Sequence, residues 1–230
     1  MQLHQFRQSP FCHKVRLVLA AKGLSYDVVE VTPGVGQVEL FRLSGQRQVP
    51  VLVDGETVVA DSTAIALHLE QHHPQPALLP ADSQLKAQVL LLEDWADTAL
   101  AAAVRTALLQ AAAGDPELRA AVLPEATPAA LKQLVAAVPA AVGSWAESLG
   151  TSLLGPGERQ QLQRNLEQLQ TLLNGNRYLV TGSLTLADLA VAAQLALLRS
   201  PKPVPGLGDN PLLEPLFSWC DQILAQRAPA

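Results

Sequence analysis

Residues 1 to about 73 alternate between two periods of apolar and polar positions. "LHQF" reads as a first strand. From Pro10 to Ala21 the spacing turns helical, with Phe11, Val15, Val18, Leu19 and Lys22 near a 3.6-residue period. Gly23 stands where such a helix ends. "SYDVVEV" alternates as a second strand, and a strand–helix–strand unit of this length implies a parallel pair with a right-handed crossover. "QVELFRL" predicts a short helix. "VPVLVDGETVVA" predicts a hairpin, two β-branched runs joined by Asp54-Gly55 in a type I′ turn. Ser62 or Thr63 can cap the next helix, "TAIALHLEQHH", which stops before Pro74. The predicted order is β-α-β-α-β-β-α.

"PQPALLP", Pro74 to Pro80, is a proline-rich, mostly non-helical tether and the best candidate for a domain boundary. Beyond it the strand signals vanish. The pattern predicts helices at about 82–113, 128–149, 157–173, 186–199 and 211–226, with a kink at Pro139. The fold class is therefore an α/β domain over 1–75, a linker over 76–81 and an all-helical domain over 82–230.

Composition narrows the function. The chain has 230 residues, enough for two modest cores, and a net charge of −5. Without a basic stripe, neither nucleic acid nor an anionic membrane is an expected partner. The longest apolar run, "LTLADLAVAAQLALL", is broken by Asp188 and Gln194 and is too short for a membrane span. "MQLHQFRQS" lacks the apolar centre of a secretory signal. Cys12 and Cys220 alone make no disulfide framework, so a reducing, cytoplasmic setting is expected.

Three patches carry candidate chemistry. "SPFC" opens the first helix, and a helix N-terminus offers free N–H groups that stabilise a thiolate. Ser9 reads equally as an N-cap before Pro10, and Cys12 as a small core residue. "QVPVL" brings a proline into a strand, where it removes a ladder donor. A cis Val49-Pro50 bond would turn the Val49 backbone toward an extended ligand; a trans proline on an edge strand fits as well. Asp61-Ser62 opens another helix, where carboxylate, hydroxyl and N–H groups suit a ligand with both carboxylate and amino groups; an ordinary cap is the alternative.

Other polar groups read more plainly. His68, His72 and His73 lack a partner at metal-ligand spacing and fit a solvated helix C-terminus, so no metal is expected. Trp95, Trp145, Leu108 and Leu109 read as core. Asp97 and Arg105 can line a cleft or a subunit contact. His13, in the first turn of its helix, can touch a ligand, although pointing to solvent is the commoner case.

The order of S-P-F-C, V-P and D-S within β-α-β-α-β-β-α resembles the thioredoxin-like domain of the cytosolic glutathione transferases. "TLADLAVAAQL" resembles that family's capping box and hydrophobic staple, with Thr185 as N-cap and Asp188 at N3. "NPLLEPLFSWCDQILAQRAP" is similar to its closing helix, with a late arginine. The resemblance implies glutathione as co-substrate and Ser9 as the catalytic hydroxyl that hydrogen-bonds the glutathione thiolate. It places Phe11 and Cys12 beside the site, the second at the position of a second cysteine in glutaredoxin-like relatives. Val49, before Pro50, matches the backbone partner of the cysteinyl part, Asp61 and Ser62 the γ-glutamyl contacts, and Gln48 a contact to the glycyl end. Arg47 departs from the usual glycine, altering the loop over the glycyl carboxylate or adding a cation to it. A homodimer is implied, and a small apolar electrophile held between the domains by Phe11, the loop after the first strand and the first long helix.

Energetics favour Ser9 over Cys12. A thiol of pKa about 8.5 needs about 2.7 kcal/mol of preferential stabilisation to become mostly thiolate near neutral pH. One hydroxyl donor to a charged acceptor supplies roughly 1.5–3 kcal/mol, and the helix N-terminus about 0.3–1 kcal/mol more. Cys12 is expected to be shielded by Phe11 and Val15, with its pKa raised by burial. The competing functions are a glutathione-dependent thiol reductase or peroxidase using Cys12, and a non-catalytic ligand-binding module.

Overall fold

The computed structural model describes residues 1–32, 35–123, 127, 129–137 and 156–225. Four strands form one mixed sheet: β1 (Gln2–Gln5), β2 (Asp27–Glu30), β3 (Val51–Asp54) and β4 (Thr57–Ala60), in spatial order β2-β1-β3-β4. β1 and β2 are parallel, with α1 (Pro10–Ala21) as the crossover, while β3 runs antiparallel to both β1 and β4. α2 (Val35–Ser44) joins β2 to β3, and α3 (Ser62–His72) follows β4, so the predicted order holds. The hairpin turns over Gly55-Glu56, between the paired Asp54 and Thr57, and not over Asp54-Gly55 as expected; Gly55 has φ 60° but Glu56 has no positive φ, so the turn is not type I′, which needs both.

α1 starts on the Ser9 cap with Pro10 at its first position and stops at Gly23, φ 66°. Its Val15, Val18 and Leu19 join Leu3 and Leu52 of the sheet and Ile65 and Leu69 of α3 in one core, all unexposed. Burying each such side chain contributes about 1.5–3 kcal/mol. Lys22, on the same apolar period, is buried by its partners. Its Nζ donates to the carbonyls of His73 (2.7 Å) and Pro76 (3.0 Å) and pairs with Glu70. Glu70 in turn accepts from the Leu78 N–H at 3.0 Å, and the Leu78 carbonyl accepts from Leu186 N at 3.0 Å. The proline-rich segment 74–80 thus has no helix or strand, yet is pinned on both sides.

The long helix predicted over 82–113 is α4 (Ser83–Trp95), a π-helical turn (Ala96–Leu100) and α5 (Ala101–Gly114). α6 (Pro116–Ala121), capped by Asp115, was not foreseen, because six residues are too few to display a helical period. α7 (Ala129–Ala137) lies within the predicted 128–149 helix; Pro139, Trp145 and the late Arg227 lie outside the described residues. α8 (Pro156–Leu172), α9 (Leu186–Leu195) and α10 (Glu214–Ala225) follow, α9 extended by a 3-10 turn, Ala196–Leu198.

Every residue of α9 is buried, so it reads as the central rod of the helical part. The capping box at its start is formed. Asp188 Oδ2 accepts from Thr185 N (2.8 Å) and Oγ1 (2.6 Å), and Oδ1 accepts from Leu179 N (2.8 Å). His68 corrects the expectation of a solvated helix end: its Nε2 lies 3.0 Å from Asp54 Oδ2, tying α3 to the hairpin turn. No helix among the described residues is long and apolar enough to cross a membrane.

Candidate functional site

Strand register decides which distant residues meet. His4 of β1 pairs with Val51 of β3, and Val51 pairs with Ala60 of β4. The chain leaving β1 toward Ser9, the Val49-Pro50 step entering β3 and Asp61-Ser62 leaving β4 therefore emerge at one end of the sheet. Two helix N-termini, those of α1 and α3, open there.

At the first terminus, Ser9 Oγ accepts from Cys12 N at 3.4 Å, so the N-cap reading of Ser9 is correct. A cap that accepts an N–H keeps its own O–H proton for another acceptor. Cys12 is unexposed, as expected, and its Sγ accepts from Phe6 N at 3.4 Å. Burial pushes this thiol up, against the smaller opposing effects of the Phe6 N–H, of the Ser9 side chain beside the sulfur and of Arg16. Phe11 is half-buried beside it.

The Val49-Pro50 bond is cis, with Pro50 buried, Val49 half-buried and Gln48 exposed. Arg47 is exposed too, its guanidinium carbon 5.6 Å from the Phe41 ring centroid. That stack accounts for one position of this cation.

Asp61 has φ 81°, the sole described non-glycine residue with positive φ, a conformation that costs of order 1–3 kcal/mol and persists only when its surroundings enforce it. Its Oδ1 accepts from Thr63 N (2.9 Å) and Ala64 N (3.0 Å), so Asp61 caps α3, not Ser62 or Thr63 as expected, whose hydroxyls turn to Asp97 and Glu93. Ser62 turns inward: it is buried, and its Oγ donates to Asp97 Oδ2 at 3.2 Å.

Beneath these termini lies a buried charge network that the sequence reading missed. Lys14 of α1 is unexposed; its Nζ pairs with Glu93 Oε1 at 2.6 Å and with Asp97 Oδ2, and donates to Thr63 Oγ1 at 3.1 Å. Thr63 Oγ1 also donates to Glu93 Oε1 at 2.6 Å. One cation and two carboxylates thereby lock the start of α1, the start of α3 and the α4 end into one geometry. A signal existed: Lys14 sits three and four positions before Leu17 and Val18, and Glu93 four after Val89, so both charges lie on apolar stripes.

A cavity of about 1090 Å³ opens between the β1–α1 loop, α1, α5 and the end of α9. Ser9, Phe11, His13, Asp97 and Arg105 are in its wall, so Asp97 and Arg105 line the cleft. His13 departs from the solvent-facing expectation: it is half-buried in this wall, and burial beside Arg16 pushes its imidazole down to about 4. Leu108 and Leu109 line the cavity as well, and Leu109 is exposed rather than core.

Comparison with known proteins agrees with this arrangement. Residues 3–77 match the family model "Glutathione S-transferase, N-terminal domain", and 156–226 match "Glutathione S-transferase, C-terminal domain". Glutathione S-transferase Z1 of Arabidopsis thaliana is 36% identical over 90 residues, 38% of this chain and 41% of that protein. Maleylpyruvate isomerase of Ralstonia sp is 37% identical over 95 residues, 40% of this chain and 45% of that protein. The matches thus span less than half the length of these curated relatives. A solved glutathione S-transferase structure from Rhodospirillum rubrum F11 superposes with TM-score 0.71 at 23% identity, covering 97% of this chain and 87% of that one. With both domain models in order on one thioredoxin-like and helical architecture, the chain belongs to the cytosolic glutathione S-transferase family.

Proposed function

We propose that the protein is a glutathione transferase: Ser9 stabilises the glutathione thiolate, which attacks an electrophile held in the inter-domain cavity. The observation that carries this reading is Ser9 itself, on the cavity wall at the α1 N-terminus with its hydroxyl proton uncommitted by the cap. The division of labour is 1–75 for glutathione and 82–230 for the electrophile, joined by 76–81.

The thiol proton leaves to solvent, and the developing sulfur charge meets the Ser9 O–H and the helix N-terminus. The thiolate forms a bond to the electrophilic carbon as the leaving group departs with its electron pair. Around it, the Val49 backbone beside Pro50 takes the cysteinyl part, Asp61 and Ser62 the γ-glutamyl end, and Gln48 the glycyl end. Ser62 contributes through its backbone at the α3 N-terminus, since its hydroxyl faces Asp97. Phe11 packs beside the sulfur. Cys12 stays a buried spectator, its thiol raised by burial and turned toward Phe6 N. The protein acts as a cytoplasmic homodimer, and the uncovered cavity speaks against a purely structural role.

The Ralstonia relative, a maleylpyruvate isomerase, favours a second reading, glutathione-dependent isomerisation. There the same thiolate adds and is expelled again, so glutathione is not consumed. Following free thiol during turnover separates the two. The test of the shared step compares conjugation of an aryl halide by wild type and Ser9→Ala. A loss near a hundredfold in kcat/KM, about 2–3 kcal/mol, is expected. An unchanged rate would leave Ser9 a helix cap only.

A further inference from the structure

His13 shares the cavity wall with Ser9, and a backbone bond joins the two, His13 N donating to the Ser9 carbonyl at 2.9 Å. One turn of α1 therefore separates an imidazole from the hydroxyl that receives the sulfur, about 6 Å along the helix axis. Neither ring nitrogen has a hydrogen-bond partner among the described residues, and neither is closed off from solvent. Half-buried beside Arg16, the ring stays neutral at ordinary pH. It offers the cavity one N–H donor and one acceptor and brings no charge of its own. A half-buried imidazole without a partner gives up hydration for nothing in the free chain.

A neutral donor in that place suits charge that appears during a reaction better than charge already present. A preformed anion is held more strongly by a cation, whereas an oxygen that turns negative in the transition state gains from a fixed N–H. A neutral imidazole polarises a carbonyl in this way at other active sites. The oxygen of a conjugated carbonyl also lies at a comparable distance from the sulfur that attacks its β-carbon. We propose that His13 is a catalytic residue that donates its ring N–H to the carbonyl oxygen of an α,β-unsaturated carbonyl electrophile. The thiolate forms a C–S bond at the β-carbon, the π electrons move onto oxygen, and His13 hydrogen-bonds the resulting enolate without losing its proton. A proton from solvent, matching the one the thiol released, then adds at the α-carbon, so no group leaves. This rests on the reading of Ser9 as the thiolate's partner, and it gives the small apolar electrophile expected from sequence a defined reactive group.

Two substrates with the same styryl body test it: benzalacetone, an enone, and cinnamyl chloride, which reacts by displacement and has no oxygen to receive charge. kcat/KM for each is measured with wild type and with His13→Leu and His13→Phe, which fill the position without a donor. The enone-to-chloride ratio is expected to fall about tenfold to a hundredfold in both variants, and either one that folds decides the matter. An unchanged ratio, including one that comes from an equal loss on both substrates, overturns the proposal. So does a wild type that conjugates the chloride and not the enone. A wild type that turns over neither substrate overturns the transferase reading beneath it, and this inference with it.

Discussion

His13 illustrates how position changes a residue's chemistry. Four residues past the Ser9 cap, it is carried by the α1 turn into the cavity wall beside Arg16, where an imidazolium loses hydration and meets a like charge. Its folded pKa of about 4 lies below the ordinary 6.5. Between those values the unfolded chain takes up a proton that the folded one refuses. The stability held by this group is therefore full above pH 6.5 and is lost as pH falls toward 4, by about 3 kcal/mol in all. Urea unfolding at pH 7 and pH 4.5 should show a steeper acid loss for wild type than for His13→Asn. Equal losses would mean that the imidazole is hydrated in the native state. Ser9 and Cys12 divide on the same principle. The half-buried hydroxyl keeps a usable proton, while the fully buried thiol is pushed away from its reactive form.

Among elements, the junction of α1, α3 and α4 depends on Lys14. Burying three charges is costly, and removing the only cation leaves Glu93 and Asp97 facing each other without compensation. Lys14→Met is expected to destabilise by about 3–5 kcal/mol in urea unfolding. Adding Glu93→Gln and Asp97→Asn should restore most of that loss, because neutral groups of similar shape need no counter-ion. A triple variant no more stable than the single one would show that the charges are not what holds the junction. The network also explains why Ser62 turns inward, since Asp97 Oδ2 gathers both its hydroxyl and the Lys14 ammonium.

For the whole molecule, association is the property the isolated chain leaves to be tested. Leu91 on α4 is 72% exposed, and Phe41 of α2 and Leu67 of α3 are also uncovered. A second copy would bury apolar side chains that water otherwise surrounds. Sedimentation equilibrium should report twice the chain's mass, and Leu91→Lys should shift the population toward monomer. A wild-type monomer at micromolar concentration would refute the homodimer.

Much of this protein was legible from local pattern. The β-α-β-α-β-β-α order follows from period changes and Gly or Pro punctuation. The Ser9 cap, the cap at Asp61-Ser62 and the Asp188 box follow from side chains bonding backbone within a few residues, whereas the hairpin was legible but its turn lies one residue later, at Gly55-Glu56. Such interactions are short-range, so adjacent residues suffice to specify them. The site was legible only as three separate patches. Their meeting required the register His4–Val51–Ala60, a pairing between strands far apart in the chain. Local pattern was also silent on the π-helical turn at Ala96–Leu100, the inward rotation of Ser62, the Lys14 network and the burial of Gln194, whose amide has no partner among the described residues. Each of these is decided by what faces a side chain across an interface, and burial turns an ordinary lysine or glutamine into a group that must find a partner. Sequence alone determined the strands, the longer helices and their order; tertiary packing decided which polar groups are enclosed, and so which are available for chemistry.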